Sequence, residues 1–149
     1  MNPFEELLKE LSLLIGLNLH SDENNVCYLW AGETLKVQLE QDKKNHVVVA
    51  AFISELGPGK FREEVLKEGL KANAQFFPGG ILCFSSKNGQ LVVYLLLPIE
   101  TADGQKLLES LSTLINYALQ WQIALQEGKT APLSLASKPS LPHAFGIKP

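Results

Sequence analysis

Phe61-Arg62-Glu63-Glu64-Val65-Leu66-Lys67-Glu68-Gly69-Leu70-Lys71-Ala72-Asn73-Ala74-Gln75 divides the chain in two, and the fold is read outward from it. Its charges have helical spacing: Glu63 stands four residues before Lys67, while Glu64 and Lys67, then Glu68 and Lys71, stand three apart. Phe61, Val65, Leu66, Leu70 and Ala72 leave one side of that helix apolar. Gly69 falls in its middle, where glycine costs about 1 kcal/mol relative to alanine. Two readings stay open there. Either a weak residue is tolerated, or another backbone comes close, as when this helix meets a second copy of itself.

Upstream, Gly57-Pro58-Gly59 breaks the chain after three strands. Val26-Cys27-Tyr28-Leu29-Trp30 is β-branched and aromatic. Residues 34–40 alternate, with Leu35, Val37 and Leu39 on one side and Lys36, Gln38 and Glu40 on the other, the pattern of a half-buried antiparallel strand. Residues 46–53 read as a third, more buried strand. Ahead of these, residues 3–15 predict a helix. Asn2 and Glu5 have capping-box spacing, Pro3 suits the first helical position, and Gly16 suits the stop. Phe4, Leu7, Leu8, Leu11, Leu14 and Ile15 form its broad apolar face.

Downstream, Phe76-Phe77-Pro78-Gly79-Gly80 ends the central helix and leads into a hairpin, arms 81–85 and 91–97, with Asn88-Gly89 as its turn signal. A long helix follows over about residues 103–126, capped by Thr101 or Asp103 and ended by Gly128. Its apolar face is Leu107, Leu108, Leu111, Leu114, Ile115, Ala118, Trp121 and Leu125. The element order is helix, three strands, helix, two strands, helix. That predicts an α+β domain over 1–128, an antiparallel sheet with helices packed on it.

Residues 129–149 differ in composition. They hold Pro132, Pro139, Pro142 and Pro149, several serines and no periodicity, and predict a flexible, loosely attached tail. Leu133, Leu135, Leu141, Phe145 and Ile147 are apolar beads along it. A solvated tail is one reading; the other is that the beads visit a groove on the body and compete with its ligand.

Charge narrows the function classes. The chain carries a net charge of −3, and residues 129–149 hold three lysines and no acid, so residues 1–128 carry −6. An acidic body without a basic stripe argues against nucleic acid and anionic membrane surfaces as partners. No apolar run approaches the roughly 20 residues of a membrane span, and the N-terminus lacks the basic start of a secretory signal. Cys27 and Cys83 lie in apolar strand-like runs and read as small buried thiols of a reducing compartment.

The chemistry-bearing motifs are missing. There is no phosphate-binding Gly-rich loop, no nucleophile elbow and no spaced Cys/His set. His20, His46 and His143 are scattered, and Glu63, Glu64 and Glu68 lie on a solvated helix face. No catalytic residue, cofactor or metal is assigned, and the chain reads as something other than an enzyme.

Several local strings resemble, in order and spacing, the class I type III secretion chaperones typified by the Tir chaperone, over about residues 4–126. They are the leucine-rich first helix ending in Gly16-Leu17, Asp22 five residues before Cys27 with Leu29 beyond, and Gly69-Leu70-Lys71-Ala72-Asn73. They continue with Gly79-Gly80-Ile81-Leu82, Leu95-Leu96-Leu97-Pro98-Ile99, and finally Ala118 with Trp121. Gly69 stands where the family usually shows a leucine, and the proline-rich tail has no clear family counterpart.

The resemblance implies a small protein of the bacterial cytoplasm that takes part in virulence-related protein transport. Such chaperones bind the extended N-terminal segment of a secreted effector and keep it secretion-competent. It implies a homodimer with Phe61, Val65, Leu66, Gly69, Leu70 and Ala72, together with Ile81, Leu82 and Phe84, at the interface. It implies an effector groove between the first helix and the sheet, with Phe4, Leu7, Leu8, Leu11, Leu14, Leu35, Val37 and Leu39 as candidates, some of them core. A heterodimer with a related chaperone that acts on a secretion regulator is the alternative, and a small enzyme with an unrecognised site is a more distant one.

Physical chemistry supports such a role independently. A sheet edge accepts an extended peptide through main-chain hydrogen bonds while apolar pockets select alternate side chains. A wrapped peptide loses much ordering entropy, so the contact has to be long.

Overall fold

The computed structural model describes residues 2–75, 79–133 and 147–148. The expectations for Phe76, Phe77 and Pro78, and for the tail beads Leu135, Leu141 and Phe145, lie outside the described residues. The element order is α1 (Pro3–Ile15), β1 (Val26–Ala31), β2 (Leu35–Gln41), β3 (His46–Glu55), α2 (Lys60–Ala74), β4 (Ile81–Ser85), β5 (Gln90–Pro98), α3 (Gly104–Gln126) and β6 (Ile147–Lys148). The first eight elements are those expected from the sequence. The ninth is not: two residues of the expected flexible tail form a strand.

Local chemistry accounts for the helix ends. The Asn2 side chain accepts from the Glu5 N–H at 2.7 Å, and Gly16 takes the left-handed conformation, φ 72°, that closes α1. The reciprocal half of the expected capping box is replaced. Glu5 turns its carboxylate to the hydroxyl of Ser21, which ties α1 to the segment leading into β1. For α3 the cap is Asp103, whose side chain accepts from the Lys106 N–H at 2.8 Å. In the β2–β3 turn, Asp42 accepts from the backbone N–H groups of Lys44 and His46 at 2.9 and 2.8 Å. These donors, that of His46 foremost, hold its carboxyl below the usual carboxylate range.

The sheet is antiparallel with the order β4-β5-β3-β2-β1-β6. Registers align the strands into rows. Leu29, Val37, Ala51, Val93 and Leu82 face the helices, while Tyr28, Gln38, Ala50, Tyr94 and Ile81 lie on the opposite face. Helix α3 lies over β3 and β5, α1 packs on α3, and α2 covers β4. One continuous core joins Phe4, Leu8 and Leu11 of α1 to Leu29, Leu35 and Leu39 of the sheet and to Leu107, Leu111 and Trp121 of α3. Gln122 is a polar group anchored within it. That amide donates to the carbonyls of Ile53 at 2.9 Å and Thr34 at 3.3 Å, and accepts from the Thr34 hydroxyl at 2.9 Å. A buried amide satisfied in this way fixes the register of α3 on the sheet.

Gly80 answers to a close approach rather than to chain breaking alone. Its φ is +127°, and a Cβ there would lie 2.8 Å from Val93 Cγ2 and 2.9 Å from the Tyr94 carbonyl oxygen. The chain enters β4 pressed against β5 with no room for a side chain.

The two cysteines part company. Cys27 is buried, as expected, and that burial pushes its thiol up to about 11. Cys83 is exposed, contrary to the sequence expectation. The reason is strand alternation on a short strand at the sheet's margin, which turns Leu82 inward and Cys83 to the uncovered face. Iodoacetamide at pH 8 is therefore expected to alkylate Cys83 in the folded single chain and Cys27 only after unfolding, as read by mass spectrometry of cysteine peptides. Native labelling of Cys27 at the rate of Cys83 contradicts the packing of β1.

Candidate functional site: two exposed apolar surfaces

Seven of the eight groove candidates are sealed inside the single chain. Phe4, Leu8, Leu11, Leu35, Val37 and Leu39 are fully buried and Leu7 nearly so. Their patterning was read correctly as one face of a helix and one face of a strand, but those faces meet each other and α3. Only Leu14 of the set is open, at 49% exposure, and its neighbour Leu13, not singled out from the sequence, is exposed at 86%. Helical periodicity draws a stripe and does not say where the packed part of that stripe ends.

A second surface lies on the uncovered face of the sheet. Tyr28 and Trp30 of β1 are exposed there. With Thr34, Lys36, Gln38 and Phe52 they border a depression of about 300 Å³. The Lys36 ammonium sits 4.3 Å from the centroid of the Tyr28 ring, so the aromatic face is held beside a cation. Every residue of β1 from Val26 to Ala31 is apolar or aromatic, so no polar alternation in the sequence tells the inward set from the outward one. That is why these aromatics were missed.

The expected interface residues divide between surface and interior. Phe61, Leu70 and Ile81 are exposed, Leu66 and Phe84 are half-buried, and Val65, Gly69, Ala72 and Leu82 are buried. On the side of α2, Leu66, Gly69, Leu70, Leu82 and Phe84 line an apolar depression of about 220 Å³. Asn73 clamps α2 to β4, donating to the Leu82 carbonyl at 2.8 Å and accepting from the Leu82 N–H at 2.9 Å. Arg62 lies 4.7 Å over the Phe84 ring and donates to the Leu56 carbonyl at 2.7 and 3.0 Å. Ile81 is on the reverse face of β4, in register with Tyr94.

Gly69 sits at the floor of the α2 depression. A Cβ there would make only ordinary contact with Leu82, at 3.8 and 3.9 Å, so nothing inside the single chain demands glycine. Gly69→Ala is therefore expected to raise the stability of the isolated chain by about 1 kcal/mol through helix propensity. Denaturant titration followed by circular dichroism measures this; destabilisation would contradict the packing described here.

Comparison with known proteins places the chain. The family model described as Tir chaperone protein (CesT) family matches residues 6–122. The chain belongs to the Tir chaperone protein (CesT) family. Its fold is shared by solved type III secretion chaperones at low sequence identity. The chaperone–effector complex HopA1–SchA aligns with TM-score 0.67 and 19% identity, over 82% of this chain and 94% of that one. The ExsC–ExsE complex aligns with TM-score 0.65 and 22% identity, over 81% and 92%. The Yersinia pestis type III secretion chaperone SycH, solved with a stable fragment of YscM2, aligns with TM-score 0.59 and 17% identity, over 78% and 97%. No curated protein matches the chain. Among the described residues, no helix of this family member is long and apolar enough to cross a membrane.

Proposed function

We propose that this chain is a type III secretion chaperone of the bacterial cytoplasm that holds an extended segment of a secreted polypeptide, without catalysing a reaction. Membership in the Tir chaperone family carries the reading, and the exposed apolar residues support it physically. Leu13 and Leu14 on α1, with Tyr28 and Trp30 on β1, remain open after the core is complete. Such residues accept alternate apolar side chains of an unfolded strand, each contributing roughly 1.5–3 kcal/mol on full burial before ordering costs.

The working unit in this reading is a dimer built on α2 and β4, with Leu66, Leu70 and Phe84 around the α2 depression and Phe61 at the start of the helix. Isologous pairing would cover that depression on both copies at once. One solved neighbour is a chaperone–effector complex and another is a chaperone bound to a fragment of YscM2, so the client here is a polypeptide of one of those kinds.

The test is co-purification of the full chain from its native cytoplasm, with retained proteins identified by mass spectrometry. The expected result is one or a few secreted proteins in stoichiometric amount, captured through their N-terminal segments. A chain that purifies alone, or with an intact folded partner held outside that segment, contradicts the proposal.

A further inference from the structure

The sheet continues past β1. Residues Ile147 and Lys148 pair antiparallel with its outer edge, in the register Trp30 with Lys148 and Ala31 with Ile147. On its other side β1 pairs with β2 along its whole length, from Val26 with Glu40 to Ala31 with Leu35. β6 thus covers only one end of the edge. Among the described residues the stretch from Val26 to Leu29 has no β6 partner. At Val26 the edge is held by Asp22, whose N–H donates to the Val26 carbonyl at 2.8 Å and whose side chain accepts from the Val26 N–H at 3.1 Å. That leaves the outward backbone of Tyr28 open.

An edge strand with unpaired N–H and C=O groups is a template for further strands, and charged residues or proline commonly block it. β1, with the sequence Val-Cys-Tyr-Leu-Trp-Ala, contains neither. Its exposed aromatics Tyr28 and Trp30 supply side-chain contacts along the same edge. The partner that does occupy it comes from the far end of the same chain. Thirteen residues lie between Leu133 and Ile147, a connection that reaches up to about 50 Å when extended.

We propose that the C-terminal segment of this chain is the resident, displaceable occupant of the outer edge of β1. Among the described residues two pairs hold that occupant, where six hold β2 on the other side. The segment therefore guards the edge against uncontrolled pairing and yields to an incoming extended strand that pairs at Tyr28 as well as at Trp30. Competition with a secreted client rests on the reading under Proposed function. Occupancy of the edge by the tail does not, and it is tested without any client.

The experiment compares the full chain, the full chain with Lys148→Pro, and a chain ending at residue 139. Proline removes the N–H of residue 148, which stands opposite Trp30, the residue of β1 there whose backbone faces away from β2. Amide hydrogen exchange by NMR is followed along β1 and α3. Whichever amide of the Trp30–Ala31 pair faces β6 is expected to exchange at least tenfold faster in both variants, with α3 amides unchanged. A fluorescent peptide of residues 140–149 is then added in trans and its anisotropy measured. It is expected to bind the shortened chain at least tenfold more tightly than the full chain, and a peptide carrying Lys148→Pro is expected to lose that binding. Unchanged exchange at Trp30 and Ala31 overturns the proposal, as does a peptide that fails to distinguish the shortened chain from the full one. Protection that appears only as protein concentration rises overturns the assignment of the occupant to the same chain.

Discussion

Leu11→Ala is expected to lower the free energy of unfolding by about 2–5 kcal/mol, whereas Leu14→Glu, one turn further along the same helix, is expected to leave it within about 0.5 kcal/mol. Leu11 is fully buried within the core that joins α1, the sheet and α3, so truncation leaves a cavity. Leu14 is half open to solvent, and a carboxylate there is solvated without cost to the fold. Client binding should rank the two in reverse. Leu14→Glu is expected to weaken binding of the client's N-terminal segment by about tenfold, which corresponds to roughly 1.4 kcal/mol. Leu11→Ala, in the fraction that remains folded, should bind nearly normally. Urea titration and fluorescence anisotropy separate the two effects. Equal loss of stability in both variants would place Leu14 in the core, and unchanged binding in Leu14→Glu would remove α1 from the client surface.

Leu70→Glu is expected to split the proposed dimer. Leu70 is 71% exposed in the single chain and borders the apolar depression beside α2, so its replacement disturbs little within one copy. In a twofold interface each change is felt twice. Losing roughly 1.5–3 kcal/mol of apolar burial per copy and adding two facing carboxylates weakens association by at least a hundredfold. Size-exclusion chromatography with light scattering at micromolar concentration should report two chains for the parent and one for the variant. A parent that is already a single chain, or a variant still paired, contradicts the interface. A parent that pairs only when a related chaperone is supplied supports the heterodimer alternative.

The fold was legible because local signals agreed with one another. Asn2-Pro3 and Gly16 bracket α1, Asp103 caps α3, Gly57-Pro58-Gly59 separates β3 from α2, and the alternation of β2 gives its inward face. What the sequence could not show was where a long apolar face stops being interior. Leu11 and Leu14 belong to one helical stripe, but only Leu11 meets the packed core. Leu35, Val37 and Leu39 were read as one face of a strand, and so they are; the helices cover that face completely. The aromatics Tyr28 and Trp30 were hidden by a strand without polar alternation. β6 was invisible because two residues carry no periodicity, and their pairing with β1 depends on a partner more than a hundred positions away.

Hydrogen–deuterium exchange on the co-purified complex tests the central claim most directly. The account predicts that the bound polypeptide is protected along an extended N-terminal segment and exchanges freely elsewhere. It also predicts that β1 and the exposed turn of α1 around Leu13 and Leu14 gain protection in the chaperone. Protection confined to a folded domain of the bound protein, with β1 and α1 exchanging as they do in the free chain, would contradict it.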